Sequence, residues 1–218
     1  MAKDDAPLEF TPSLILRAYA AGVFPMAEAA GAENVFWVDP KIRGVLPLER
    51  FHVPRSLARR MRAGGYALRI DADFSGVVAA CAERDETWIN RDIRDAYVAL
   101  HELGFAHSVE VWSDGALAGG LYGVKLGAAF FGESMFHRRT DASKIALTHL
   151  VARLKAGGFT LLDTQFVTDH LARFGAARIS RQRYHRMLQL ALRRPADFAA
   201  FDQDASADSV LQAATQTS

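Results

Sequence analysis

Three short words in this 218-residue chain put polar or aromatic side chains where packing alone asks for apolar ones. The first is Gly132-Glu133-Ser134-Met135-Phe136, directly after the apolar run at 128–131. The second is Leu161-Leu162-Asp163-Thr164-Gln165-Phe166, and the third is Thr87-Trp88-Ile89, on a loop flanked by charge. Residues two apart on a strand share a face, so Asp163 and Gln165 point one way and Leu162 and Thr164 the other. A carboxylate beside an amide near the end of a core strand costs free energy unless both are satisfied. A structural polar pair would satisfy them; a polar pocket explains them better. The other reactive side chains give no competing chemistry. Cys81 sits in the apolar helical run Phe74-Val77-Val78-Cys81 and reads as a small core residue. His101, His107, His137, His149, His170 and His185 are scattered without metal-ligand spacing or a cysteine partner.

To bring these words together the chain must build a sheet. Asp73 is a good cap for a helix through Ala82, and Asn90 for one ending at Gly104. A strand at 108–112, the turn Ser113-Asp114-Gly115 and a strand at 117–125 form a hairpin, with a third strand at 128–131. A helix spans 142–156 and closes at Gly157-Gly158; a strand at 160–166, a short helix at 170–174 and a helix at 181–192 follow. Upstream, Thr11-Pro12 starts a helix that Phe24-Pro25 stops, and Val35-Phe36-Trp37-Val38 is a short strand. A helix from Pro54 and Ser56 to Ala63 and a strand at 66–70 come next. The pattern is α+β, a mixed sheet flanked by helices. It divides into a small N-terminal lobe at 1–50, a larger domain at 51–200, and a tail at 201–218 whose Ala, Ser, Asp, Gln and Thr predict disorder. There is no internal repeat.

Composition is that of a globular chain: half hydrophobic, with one cysteine and so no internal disulfide framework. No signal peptide and no run of 18 apolar residues is present, which predicts a cytoplasmic protein with no membrane contact. Net charge is only +1, but its distribution is uneven. Arg55, Arg59, Arg60, Arg62 and Arg69 lie in one acid-free window, and Arg173, Arg178, Arg181, Arg183, Arg186, Arg193 and Arg194 in another. Clustered arginine is the footprint of a phosphate backbone; a solvated basic face is the equal alternative.

The meander followed by strand-helix-strand is wired as in GNAT-type (acyl-CoA N-acyltransferase-like) domains. The turn at 136–144, Phe-His-Arg-Arg-Thr-Asp-Ala-Ser-Lys, holds no glycine, so its backbone cannot wrap a pyrophosphate in the usual manner. That favours an acyl donor other than acyl-CoA, with a CoA-dependent acetyltransferase or a non-catalytic RNA-binding module as the rival readings.

Further words run in order along the chain: Ala21-Gly22-Val23-Phe24-Pro25-Met26, Phe36-Trp37-Val38-Asp39-Pro40, Leu100-His101-Glu102-Leu103-Gly104, Ala106-His107-Ser108-Val109-Glu110-Val111-Trp112, Gly119-Gly120-Leu121-Tyr122-Gly123-Val124 and Ala142-Ser143-Lys144. With the three words above, they make the chain similar to the leucyl/phenylalanyl-tRNA–protein transferases. One word departs, since the family often has aromatic-Ser-Pro where this chain has Trp37-Val38-Asp39-Pro40. The resemblance implies a two-lobed protein with a GNAT-like second lobe and no metal or soluble cofactor, acting as a monomer. It implies transfer of leucine or phenylalanine, methionine less well, from charged tRNA to proteins beginning with Arg or Lys, which marks them for N-end-rule degradation. A sister transferase acting on acidic amino termini is the nearest rival.

In the family picture Gln165 contacts the attacking amine through its amide oxygen and Asp163 polarises Gln165, with Asp163 as the base itself the alternative. Glu133 or Asp163 would meet the acceptor's cationic side chain. Trp37, Trp88 and, less strongly, Tyr97 would stack the terminal adenine or wall the pocket. Met135, Phe131 and Val124 would line an apolar pocket for the leucyl side chain, with plain core packing the alternative for each. Arg55, Arg59, Arg60 and Arg62 lie near the family's tRNA-contact patch.

Overall fold

The structure, a computed structural model, describes residues 10–32, 34–84 and 87–216. The chain runs α1 (Pro12–Ala20), β1 (Phe24–Ala27), β2 (Val35–Val38), β3 (Ile42–Val45), α2 (Arg55–Arg62), β4 (Ala67–Ile70), α3 (Phe74–Ala82) and α4 (Arg91–Glu102). It continues through β5 (Ala106–Ser113), β6 (Ala116–Leu126), β7 (Ala129–His137), α5 (Ala142–Ala156), β8 (Leu161–Gln165), α6 (Asp169–Ala172), β9 (Ala177–Ser180), α7 (Arg181–Leu192) and α8 (Ala207–Thr215). The expected caps are in place: the side chains of Thr11, Asp73 and Asn90 accept backbone N–H groups of α1, α3 and α4.

Seven strands form one mixed sheet in the order β4-β5-β6-β7-β8-β3-β9, and β1 and β2 pair separately. The meander β5-β6-β7 is antiparallel, whereas β8 returns through α5 to lie parallel to β7. That return is the right context for a long crossover helix. Two cores flank the sheet. On one face Ile15, Tyr19, Val77, Ile93, Tyr97 and Leu188 pack with Phe131 and Val124. On the other, Leu57, Leu147, Leu150, Val151 and Leu211 pack with Phe130 and Leu162. The result is a helix-sheet-helix sandwich, so a wide sheet is covered on both sides.

Four expectations need correction. Phe24-Pro25 does not merely stop α1; it starts β1, and Phe24 is buried. The third strand of the meander does not end at 131 but runs to His137, which puts Glu133 inside β7. The segment at 42–45, read as part of the small lobe, is β3 and lies between β8 and β9 in the large sheet. The tail read as disordered forms α8, capped by Ser206, with Val210, Leu211 and Ala214 buried and packed with α5. Its polar composition hid an apolar stripe at helical spacing.

Candidate active site

The strands β7 and β8 pair at Ala129↔Leu161, Phe130↔Leu162 and Phe131↔Asp163, and there the pairing ends. Beyond that fork β7 follows β6 and β8 follows β3. A cavity of about 650 Å³ opens between them. Glu133 and Gln165 each stand two residues past the last pair, one on each arm, and both form part of the cavity wall.

Each arm is irregular at that point. Along β7 the register passes from Tyr122↔Ser134 to Gly123↔Gly132, so Glu133 is an extra residue in a bulge. Along β8 it passes from Val45↔Asp163 to Gly44↔Gln165, so Thr164 is the extra residue. Gln165 has φ +59 and Phe166 N–H donates to the Thr164 carbonyl at 2.5 Å, a tight turn of the rare γ type. Simple alternation therefore fails through this stretch. Gly44 faces the turn; a Cβ there would sit 2.6 Å from the Phe166 carbonyl carbon. Bulges and strained turns re-aim side chains and gather at functional sites.

Glu133 is 9% exposed and has no cation partner among the described residues. Its Oε1 accepts from Tyr19 Oη–H at 2.6 Å and from Gln165 Nε2 at 2.9 Å, and its Oε2 from Tyr97 Oη–H at 2.7 Å. The two phenol oxygens are also 2.5 Å apart. Three short oxygen–oxygen contacts need three protons, and two phenols supply two, so all three are satisfied together only when Glu133 carries the third and donates it to one of the phenols. Burial acts in the same sense. It raises the Glu133 carboxyl to about 7, against the lowering effect of its three hydrogen bonds.

Asp163 is fully buried, and its setting is the opposite. Arg43 clamps it in a two-pronged ion pair, Nε to Oδ1 at 3.0 Å and Nη2 to Oδ2 at 2.6 Å. Tyr184 Oη–H donates to Oδ2 at 2.7 Å, and the backbone N–H of Gln165 donates to Oδ1 at 2.7 Å. The guanidinium is sandwiched between the Phe24 and Tyr184 rings, 4.4 Å from each centroid, and its Nη1 donates to the Gly22 carbonyl. Burial opposes the Arg43 charge, but Asp163 beside it outweighs that and holds it protonated. This knot ties α1's exit turn, β3, β8 and α7 together behind the cavity.

The structure thus brings Glu133, Gln165, Trp88 and Met135 to the cavity wall. Asp163 and Tyr97 stand behind it, each one hydrogen bond from a wall residue. Asp163 reaches Gln165 through its backbone N–H; the side-chain amide is held by Glu133 instead. Phe131 and Val124 are fully buried core residues, Phe131 packing on Tyr19 with centroids 4.5 Å apart. They do not line the cavity; its apolar lining is Leu121, Met135, Leu147, Leu150 and Leu162. Trp37, on β2, lies off the wall beside Phe10. Arg55, Arg59 and Arg62 are exposed on α2, Arg62 paired with Asp208 at 2.7 Å, while Arg60 donates to the Gly64 carbonyl. Sequence reasoning missed Arg43, Tyr19 and Tyr184. Tyr19 follows the helical stripe of α1 and looked like ordinary packing. Among the described residues no three His, Cys, Asp or Glu side chains are grouped to hold a metal, and no helix is long and apolar enough to cross a membrane.

Comparison with known proteins places the chain in a family. Residues 45–189 match the family described as leucyl/phenylalanyl-tRNA protein transferase, and residues 9–41 match that family's N-terminal domain. The chain is 60% identical over 211 residues to a leucyl/phenylalanyl-tRNA–protein transferase of Ruegeria pomeroyi, covering 97% of this chain and all of the relative. It is 58% identical to those of Nitrobacter winogradskyi, covering 94% of this chain and 92% of the relative, and Phenylobacterium zucineum, covering 96% and 99%.

Proposed function

The chain belongs to the leucyl/phenylalanyl-tRNA protein transferase family, and on that premise we propose that it moves leucine or phenylalanine, methionine less well, from charged tRNA to proteins beginning with Arg or Lys. The protein is an aminoacyltransferase with a tRNA donor and a protein acceptor. Its setting is the cytoplasm, where both substrates meet, and its product is a protein marked for N-end-rule degradation. The observation that carries this reading is the Glu133–Gln165 pair at the fork of the sheet, on the wall of a cavity of ligand size. The meander, crossover and fork support a GNAT-like architecture for the larger part of the chain, and we take the working form to be a monomer.

The reaction forms a C–N bond between the acceptor's α-amine and the acyl carbon and breaks the ester C–O bond to ribose. The proton lost by nitrogen ends on that ribose oxygen. An α-amine titrates near ~8, so about a tenth is neutral at pH 7, and alignment matters more than a strong base. With its Nε2 given to Glu133, Gln165 presents its amide oxygen to an N–H of the incoming amine. An amide cannot keep the proton, so Gln165 orients and relays. Asp163 is not free to act as base, because Arg43 and Tyr184 occupy it. For the same reason Glu133 is the carboxylate for the acceptor's cationic end. Leu121, Met135, Leu147, Leu150 and Leu162 suit the aliphatic or aromatic side chain being transferred. Trp88 is better placed than Trp37 to stack the terminal adenine, and Arg55, Arg59 and Arg60 offer sequence-blind contacts to tRNA phosphates.

Transfer of labelled leucine from charged tRNA to a peptide beginning with Arg, beside one beginning with Glu, tests the reading. Label is expected on the Arg peptide. Label on the Glu peptide, or on neither, contradicts it.

A further inference from the structure

Where α5 begins, the cavity wall carries polar groups that have no hydrogen-bond partner among the described residues. Ser143 is 4% exposed and lines the cavity, yet its hydroxyl has no hydrogen-bond partner among the described residues. His170 lines the same cavity, and its Nε2 is buried without a partner among the described residues. Between them begins α5, a 15-residue helix whose first-turn amides at Ser143 and Lys144 are likewise unpaired; those of Ala142 and Ile145 are bonded to Arg139 and Asp141 carbonyls. Asp141 stands at the cap position with φ +67 and makes no capping bond. Its carboxylate is taken by the Lys144 ammonium at 2.6 Å. That contact also neutralises this acid of the cavity wall. His137 also lines the cavity, and burial, with the positive charges of Lys144, His137 and Arg173, lowers His170 below the ordinary imidazole value.

An unpartnered hydroxyl, two amides and an imidazole that carries its proton on Nε2, all on one cavity wall, fit an anion, and an α-helix start adds its dipole to them. The turn lacks the glycines that would let backbone wrap a pyrophosphate, but one hydroxyl, one imidazole and two amides suffice for a single phosphate. We propose that this set binds the phosphodiester joining the last two nucleotides of the donor tRNA. It would hold the terminal adenosine so that its ester enters the cavity. The assignment rests on the tRNA-donor reading above and adds to it the group that is recognised.

The test uses leucylated cytidylyl-adenosine in two forms, one with the natural phosphodiester and one with an uncharged methylphosphonate of the same shape. For the wild-type chain the methylphosphonate donor should show a KM higher by roughly tenfold or more with kcat little changed. In Ser143→Ala and in His170→Gln the two donors should converge, the loss falling on the phosphodiester form alone. Alanine is well accepted in a helix, so Ser143→Ala keeps the fold testable by thermal melting. Equal KM values for the two donors in the wild-type chain overturn the site while leaving the transferase reading intact. So does a variant that loses activity on both donors equally. Absence of transfer from any leucylated donor sinks the transferase reading instead; a phosphodiester preference in the binding of the unleucylated dinucleotides, measured by calorimetry, would then still uphold the anion site, and its absence would remove that too.

Discussion

Two carboxylates lie buried on neighbouring strands, and they are compensated in opposite ways. Asp163 has a full cation in a two-pronged pair, a phenol and a backbone amide, and no share of the cavity wall. Glu133 has two phenols and a primary amide, no cation, and a place on the wall. The first arrangement fixes structure; the second leaves on the wall a carboxyl without a counter-ion, which an incoming cation can ionise and pair. The sequence offered both as the carboxylate for the acceptor's cationic end, and Asp163 also as the group that polarises Gln165; the difference between them comes from Arg43.

Removing that cation is the severest way to break the comparison. Arg43→Ala would leave Asp163 buried and unpaired, which costs on the order of 3–5 kcal/mol. Urea unfolding should show the loss, and no added ligand should restore it. A variant as stable as the parent would mean that Asp163 is compensated otherwise.

Much of the site was legible in the chain, and the gaps have physical causes. Glu133, Asp163 and Gln165 stood out because they are polar within apolar runs. Arg43 did not, because β3 is four residues long and owes its place between β8 and β9 to long-range pairing that no local pattern encodes. The direction of Gln165 was equally hidden: a positive φ at a non-glycine residue is imposed by the surrounding fold, here by the close approach of Gly44. Phe131 and Val124 were read as pocket residues because composition does not distinguish a cavity wall from a core. Helix α8 was recoverable from Ser206 as a cap and from Val210, Leu211 and Ala214 at helical spacing.

A gentler test sharpens the contrast through pH. Burial raises Glu133 to about 7 from an ordinary 4.5, so between those values the folded chain holds a proton that the unfolded chain has lost. Stability from this group is full below 4.5 and is lost as pH rises through about 7. Glu133→Gln should flatten that decline in urea midpoints, while a slope unchanged by the substitution would place the titration elsewhere.

The claim on which the rest stands is that Gln165 meets the attacking amine. Steady-state transfer by Gln165→Ala, with thermal melting to confirm the fold, tests it most directly. The account predicts a fall in kcat of roughly 10²-fold with little change in KM for charged tRNA. Turnover at the parent rate would contradict it.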